Sequence, residues 1–236
     1  MKEQAAGKKN KISPNGNVKL SPSMMCANFL DIRQELDTFK ENGIEFLHID
    51  VMDGHYVPNF TLGIDFCKSL KEYSDIPLDI HLMIDNVDQH IGQFCQFEGS
   101  WVSFHPECTW HPVRTIEQIK SYGCKAGIAL DTSVGVDQYK ELYKLVDFVL
   151  VMTVTPGYAG QKLLPFCMDK IKELKTYFEE NQIDIPIEVD GNVSWENIPV
   201  MVDAGASMLV AGSSSVFDKS YCRDQAIKRV REIMEK

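Results

Sequence analysis

His48, Asp50 and Met52 stand at alternate positions in the run FLHIDVMD, and Asp79, His81 and Met83 do the same in LDIHLMI. A β-strand turns successive side chains to opposite faces, so each set of three shares a face. A third run, IPIEVDG, ends on Glu188, Val189 and Asp190. Buried charge on a strand costs several kcal/mol per ion unless it is paired or binds a metal. His48, Asp50, His81 and Asp190 together offer imidazole nitrogens and carboxylate oxygens around one divalent cation. Such a mixed set suits zinc first, with iron, cobalt or manganese as alternatives. Either histidine alone reads better as a satisfied core residue. Four such groups at equivalent strand positions reverse that preference.

Glycine-bearing loops follow three of the apolar runs: Thr155-Pro156-Gly157-Tyr158-Ala159-Gly160-Gln161, Asp190-Gly191-Asn192 and Ala211-Gly212-Ser213-Ser214-Ser215. Glycine lets backbone N–H groups crowd an anion, and a short helix after the last loop would add its N-terminal dipole. One such loop is weak evidence, because turns need glycine anyway. Three converging loops point to a phosphate cradle. A cation, two carboxylates and a phosphate cradle suit proton chemistry beside a carbonyl. The cation stabilises the enediolate, one carboxylate removes the α-proton, and a second carboxylate across the substrate plane returns a proton to the opposite face. The stereocentre then inverts. A Schiff-base aldolase would need a lysine at a strand end. Lys125 begins its strand and Lys162 lies in a loop, which argues against that chemistry.

Eight strand–helix units would have to position these groups. Strands are expected at VKLSPSMM, FLHIDVMD, LDIHLMI, WVSFH, KAGIALD, DFVLVMTV, IPIEVDG and SMLVAG. Helical spacing appears over Asn28–Asn42, Phe66–Tyr73, Val87–Phe97, Val113–Tyr122, Val136–Lys144, Pro165–Glu180, Trp195–Asp203 and Tyr221–Met234. Short strands rich in Val, Ile and Leu between amphipathic helices indicate a parallel sheet. Eight units fit a closed α/β barrel, the (β/α)8 or TIM barrel, better than an open sheet. Active sites of such barrels lie at the C-terminal strand ends. The expected organisation is a flexible N-terminal extension over 1–17 and one barrel domain over 18–236.

The chain has 236 residues, 44% of them hydrophobic and 25% charged, a globular composition. Its 24 Lys+Arg stand against 34 Asp+Glu, a net charge of −10 that repels phosphate backbones and anionic lipid. No nucleic-acid or membrane partner is therefore expected. No apolar run reaches the roughly 18 residues of a membrane span, and the N-terminus has no apolar signal core. The 7 cysteines form no CxxC pair and read as reduced cytosolic thiols. Cys26 and Cys108 are expected to be buried and inert.

The segments His48–Gly63, Ile80–Ile84, Val151–Gln161 and Ile187–Asn192 resemble the signatures of the ribulose-phosphate 3-epimerase family. So do His105-x-Glu107-x-x-x-His111-x-x-Arg114 and the run from Gly205 to Ser214. The resemblance runs in unbroken order from about Val18. It implies a TIM barrel that interconverts ribulose 5-phosphate and xylulose 5-phosphate. By position it makes His48, Asp50, His81 and Asp190 the metal ligands, with Asp50 and Asp190 also the proton acceptor and donor. It implies that Ser23, His81, Met52, Met83 and Met152 line the substrate. Gly157, Tyr158, Ala159, Gly160, Gly191, Asn192, Gly212 and Ser213 match its substrate- and phosphate-holding loops. Three departures, Asn192, Ala159 and the Ser-Pro-Ser-Met-Met-Cys run, look more like the allulose-6-phosphate 3-epimerase branch, which puts substrate length in question. A phosphate-binding barrel without catalysis would lack Asp50 or Asp190, and both are present. A cytoplasmic setting and self-association into a homo-oligomer are expected.

Overall fold

The computed structural model describes residues 18–235; the extension expected over 1–17 lies outside the described residues. Strands β1 (Lys19–Pro22), β2 (Leu47–Met52), β3 (Leu78–Met83), β4 (Trp101–Phe104), β5 (Lys125–Leu130), β6 (Phe148–Met152), β7 (Ile187–Asp190) and β8 (Met208–Ala211) form an 8-stranded sheet in the order β1-β8-β7-β6-β5-β4-β3-β2. The seven ladders are all parallel. A parallel bridge between Ser23 and His48 joins β1 to β2 and closes the ring. The protein is a single-domain (β/α)8 TIM barrel. Among the described residues no helix is long and apolar enough to cross a membrane.

The α-helices are α1 (Ile32–Glu41), α2 (Ile64–Tyr73), α3 (Ile91–Phe94), α4 (Pro112–Ser121), α5 (Phe166–Glu180), α6 (Asn197–Ala204) and α7 (Arg223–Met234). Several expected helices differ from these. The segment Asn28–Asn42 becomes helical only at Ile32, because Asn28 accepts from Leu30 N and donates to Asp31 in an Asx turn. Val87–Phe97 splits into a 3₁₀ turn over Val87–Gln89 and the single turn of α3. There Asp88 accepts hydrogen bonds from Thr109 and Thr115, which tie the segment to the start of α4. Val136–Lys144 is a 3₁₀ helix over Val136–Tyr139 followed by tight turns. The Tyr143 hydroxyl takes the Val136 carbonyl at 2.8 Å. After β8 the expected short helix is absent; residues 213–217 form hydrogen-bonded turns that close on the Gly212 carbonyl.

Outward strand residues such as Leu47, Ile49, Ile80, Leu82, Val149 and Leu209 pack beneath the helices in one continuous apolar core. The barrel interior is filled differently. Its base is aromatic: Trp101 stacks between Phe46 and Phe148, with ring centroids 4.9 and 4.7 Å away. Lys19 Nζ covers the Phe46 and Trp101 rings at 5.4 and 5.1 Å. Above this plug come Ser21, Asp79 and Glu188, all fully buried. Above them are the candidate site residues, flanked by the interior cluster of Ala129, Leu150, Met152 and Val210.

Gly127 on β5 is what lets the plug seat. A Cβ at that position would meet the Phe148 ring at 2.4 Å. Gly127→Ala therefore overpacks the base, and a loss of about 1–3 kcal/mol is expected. Thermal unfolding followed by circular dichroism should show a midpoint several degrees lower; an unchanged midpoint would mean that the ring moves aside freely.

Candidate active site

β2 presents His48 and Asp50 inward, β3 presents His81, and β7 ends on Asp190. Between β2 and β7 around the ring lie β1 and β8 on one side and β3–β6 on the other, so the two aspartates enter from different walls. One donor atom from each of the four side chains lies within 4.8 Å of the other three. His48 Nε2 is 3.4 Å from Asp50 Oδ1 and 3.9 Å from Asp190 Oδ2. His81 Nδ1 is 3.9 Å from each of those same oxygens. Neither of these ring nitrogens has a hydrogen-bond partner. Four donors at about 2.0–2.1 Å from a tetrahedral ion stand about 3.3–3.4 Å apart, so the cage is slightly wider than a closed zinc site. Unpartnered nitrogens facing two carboxylate oxygens fit a divalent cation.

The opposite ring nitrogens are occupied. His48 Nδ1 pairs with Asp79 Oδ2 at 2.6 Å, and the Ser21 hydroxyl donates to the same oxygen at 2.9 Å. His81 Nε2 meets His105 Nε2 at 2.9 Å. Such outer partners fix ring orientation and tautomer. Burial opposes charge on His48, but Asp79 and Asp50 beside it raise its pKa well above the ordinary value. His81 goes the other way, lowered well below that value by burial and by the neighbouring His105 and His48. Glu188, beside Asp79, is raised well above the usual carboxyl range by burial and by the Asp79 charge, while Asp79, against the effect of its own burial, is lowered by the neighbouring His48.

The pocket above this floor is lined by Ser23, Asp50, Met52, Met83, Met152, Gly157, Tyr158, Ala159, Gly160, Asp190, Gly191, Asn192, Gly212 and Ser213, all singled out from the sequence. His48 and His81 lie beneath it, fully buried. The Ser23 hydroxyl donates to Asp50 Oδ2 at 2.8 Å, which leaves Oδ1 for the imidazoles. Gly191, at φ +115°, has no room for a Cβ, which would meet the Val154 backbone nitrogen at 2.8 Å. Asn192 has φ +45°, a conformation asparagine tolerates better than most residues. Its side-chain amide donates to Gln161 O at 2.6 Å, and its Oδ1 accepts from Asn197. It staples the β6 and β7 loops together. Across the mouth, Tyr158 donates to Pro58 O, and Asn59 donates to Gly157 O at 2.8 Å.

Cys26, expected to be inert, is half-buried and lines the pocket, its thiol pushed up to about 11 by burial and by Asp50. Met25, Thr155, Gln161 and Ser214 also line it without having been singled out as binding residues. The outer partners Ser21, Tyr56, His105 and Glu107 carried no functional reading either. For His105 and Glu107 a signal existed, since they follow the end of β4 with the same alternate spacing as His48 and Asp50.

Residues 19–217 match the model of the ribulose-phosphate 3 epimerase family. The chain belongs to this family. It is 40% identical over 215 residues to the ribulose-phosphate 3-epimerase of Bacillus subtilis, covering 91% of this chain and 98% of that one. It is 39% identical over 215 residues to the enzyme of the same name from Methanocaldococcus jannaschii, covering 91% and 90%. Among solved structures, a tryptophan synthase α-subunit from Pyrococcus furiosus aligns with a TM-score of 0.65 at 15% identity, over 93% of this chain and 99% of that one. A thiamine phosphate pyrophosphorylase from Pyrococcus furiosus aligns with a TM-score of 0.58 at 15% identity, over 94% and 98%. At that identity only the barrel is shared.

Burial and the nearby Asp50 charge raise Asp190 from 3.8 to about 7. The folded metal-free chain therefore holds this proton more tightly than the unfolded chain. The resulting stabilisation is complete below about pH 4 and is lost as pH rises through about 7. Thermal midpoints of metal-free protein should fall between about pH 5 and 8, and Asp190→Asn should flatten that slope. Parallel slopes in the two proteins would contradict the shift.

Proposed function

We propose that the chain is a metal-dependent ketose-phosphate 3-epimerase that interconverts D-ribulose 5-phosphate and D-xylulose 5-phosphate. Two carboxylates that reach one pocket floor from different walls, beside two unpartnered ring nitrogens, carry this conclusion. Relatives named ribulose-phosphate 3-epimerase support it. A divalent cation held by His48 Nε2, Asp50, His81 Nδ1 and Asp190 would supply Lewis acidity at the ketose carbonyl. Zinc suits that donor set best, and iron, cobalt or manganese are the alternatives.

The rest of the chemistry belongs to the side chains. Asp50 accepts the C3 proton on one face of the ketose. Asp190 delivers a proton to the other face of the planar enediolate, and the configuration at C3 inverts. In the reverse direction the roles exchange. In the metal-free chain burial and the Asp50 charge raise the Asp190 carboxyl to about 7. The Ser23 hydroxyl orients Asp50. Met52, Met83 and Met152 form an apolar wall that keeps bulk water from the enediolate. Backbone N–H groups at Gly191, Asn192, Gly212 and Ser213 receive the phosphate, with Gly157–Gly160 across the mouth.

A six-carbon substrate, allulose 6-phosphate with fructose 6-phosphate, is the second reading. The Met25–Cys26 pair that departs from the family's usual first loop lines the pocket and favours it. The Asn192 departure does not, because that amide is committed to Gln161 and Asn197. Both ketose phosphates offered in deuterated water decide between them. Deuterium should enter at C3, faster for the five-carbon compound, and chelation should stop exchange until zinc is restored. Asp50→Asn or Asp190→Asn should lower kcat by about 10²–10⁴-fold. Near-normal exchange in either variant would remove that aspartate from the acid/base pair. Exchange at full rate in verified metal-free enzyme would remove the cation.

Leu30 and Phe60, in the segments that follow β1 and β2, are 93% and 77% exposed, and Phe29 is 56% exposed. Covering them against a second copy of the chain supports the homo-oligomer reading. Light scattering should give a mass above the 26.8 kDa of one chain. A monomer at micromolar concentration would refute it. All 7 cysteines are free, which supports a reducing, cytoplasmic setting. Recovery of the native protein from an oxidising compartment would count against that.

A further inference from the structure

A chain of polar side chains leads from His81 past the end of β4, and beyond His81 and its contact with His105 the chemistry above uses none of it. His81 turns Nδ1 toward Asp50 and Asp190, while its Nε2 lies 2.9 Å from His105 Nε2. The His105 ring is fully buried, 5.1 Å from the His81 ring and 4.7 Å from the Tyr56 ring between centroids. Its other nitrogen, Nδ1, faces Glu107 Oε1 at 3.5 Å. Glu107 is itself held by two phenols: Tyr56 donates to Oε1 at 2.9 Å and Tyr139 to Oε2 at 3.2 Å.

One arrangement of protons serves both ends of this chain. A 2.9 Å contact between ring nitrogens needs one donor and one acceptor. If His105 donated, neutral His81 would carry its proton on Nδ1 and present no lone pair to a cation. If His81 donates from Nε2, its Nδ1 lone pair is free. Neutral His105 then accepts at Nε2 and carries its own proton on Nδ1, where it faces the Glu107 carboxylate. The opposite His105 tautomer would set a lone pair against that anion.

We propose that Glu107, acting through His105, is a positioning residue that holds His81 in its Nε2–H tautomer and so presents Nδ1 to a divalent cation. This rests on the assignment of His81 as a ligand in the function proposed above. Carboxylate–imidazole partners behind a ligand tune both its orientation and its basicity. Here the carboxylate acts through a second imidazole. That arrangement gives the His105-x-Glu107 spacing a role beyond lining the pocket rim. A rim role alone would leave the His81 tautomer and the cation affinity untouched.

The test compares the full-length wild type with Glu107→Leu and Glu107→Gln; the glutamine keeps an oxygen acceptor for His105 Nδ1–H. Nitrogen-15 NMR of histidine-labelled, metal-free protein reads the tautomers. Chelator competition and the visible spectrum of the cobalt-loaded protein read the ligand field. Wild type should show His81 protonated at Nε2. Glu107→Leu should show mixed His81 tautomers, cobalt affinity lower by about 10–100-fold, an altered visible band and a lower kcat at unchanged KM. Glu107→Gln should stay near wild type. Wild-type His81 protonated at Nδ1 overturns the proposal without any variant, so it can be refuted even if Glu107→Leu fails to fold. Wild-type affinity and tautomer in folded Glu107→Leu overturn it as well, with the metal site still standing. A wild type that takes up no cobalt or zinc removes the ligand assignment itself, and this proposal with it.

Discussion

Two imidazole nitrogens without partners, His48 Nε2 and His81 Nδ1, facing two carboxylates on a buried floor, are the constraint that the rest of the barrel serves. A buried polar atom left unpaired costs about 1–3 kcal/mol. The interior can carry this because the stabilising apolar core lies elsewhere, between the outward strand faces and the helices. The division frees the inward residues for chemistry. It also explains why each wall contributes so few polar groups: β2 supplies an imidazole and a carboxylate, β3 an imidazole, and β7 a carboxylate.

From base to mouth, the barrel passes from aromatic packing to a buried carboxyl–carboxylate pair, then to the cation cage, the methionines and the glycine loops. The order has a physical logic. The Phe46–Trp101–Phe148 stack packs the base beneath the buried polar residues. Asp79 above it orients His48 from below through Nδ1, with Glu188 3.8 Å from the same nitrogen. The site then opens upward among the glycine-bearing loops that follow β6, β7 and β8. The loop ties Tyr158–Pro58 and Asn192–Gln161 hold that rim together across chain segments far apart in sequence.

The barrel and the floor of its pocket were legible in the sequence because both rest on strand alternation. A period of two is robust: His48, Asp50, Asp79 and His81 sit in strands whose every residue is buried. The helices were less legible. Spacing marked Val87–Phe97 and Val136–Lys144 as helical, but the hydroxyls of Thr109, Thr115 and Tyr143 drew those segments into turns. Hydrogen bonds from distant side chains leave no local signature. The same reason hid the outer partners of the site. Ser21 serves His48 through a carboxylate 58 positions away, and Tyr56 reaches Glu107 across 51 positions. The fate of the Asn192 amide depended on Gln161, 31 residues earlier, and could not be read from its own loop.

The two carboxylates of the cage have a consequence for the valence of the ion it can accept. With both imidazoles neutral, the cage presents two formal negative charges, those of Asp50 and Asp190. The third, on Asp79, is met by hydrogen bonds from Ser21 and His48. A doubly charged ion brings the cage to electroneutrality. Sodium or potassium would leave one negative charge uncompensated in a medium that solvates it poorly. Discrimination against the abundant monovalent ions thus arises from the charge count of the cage itself.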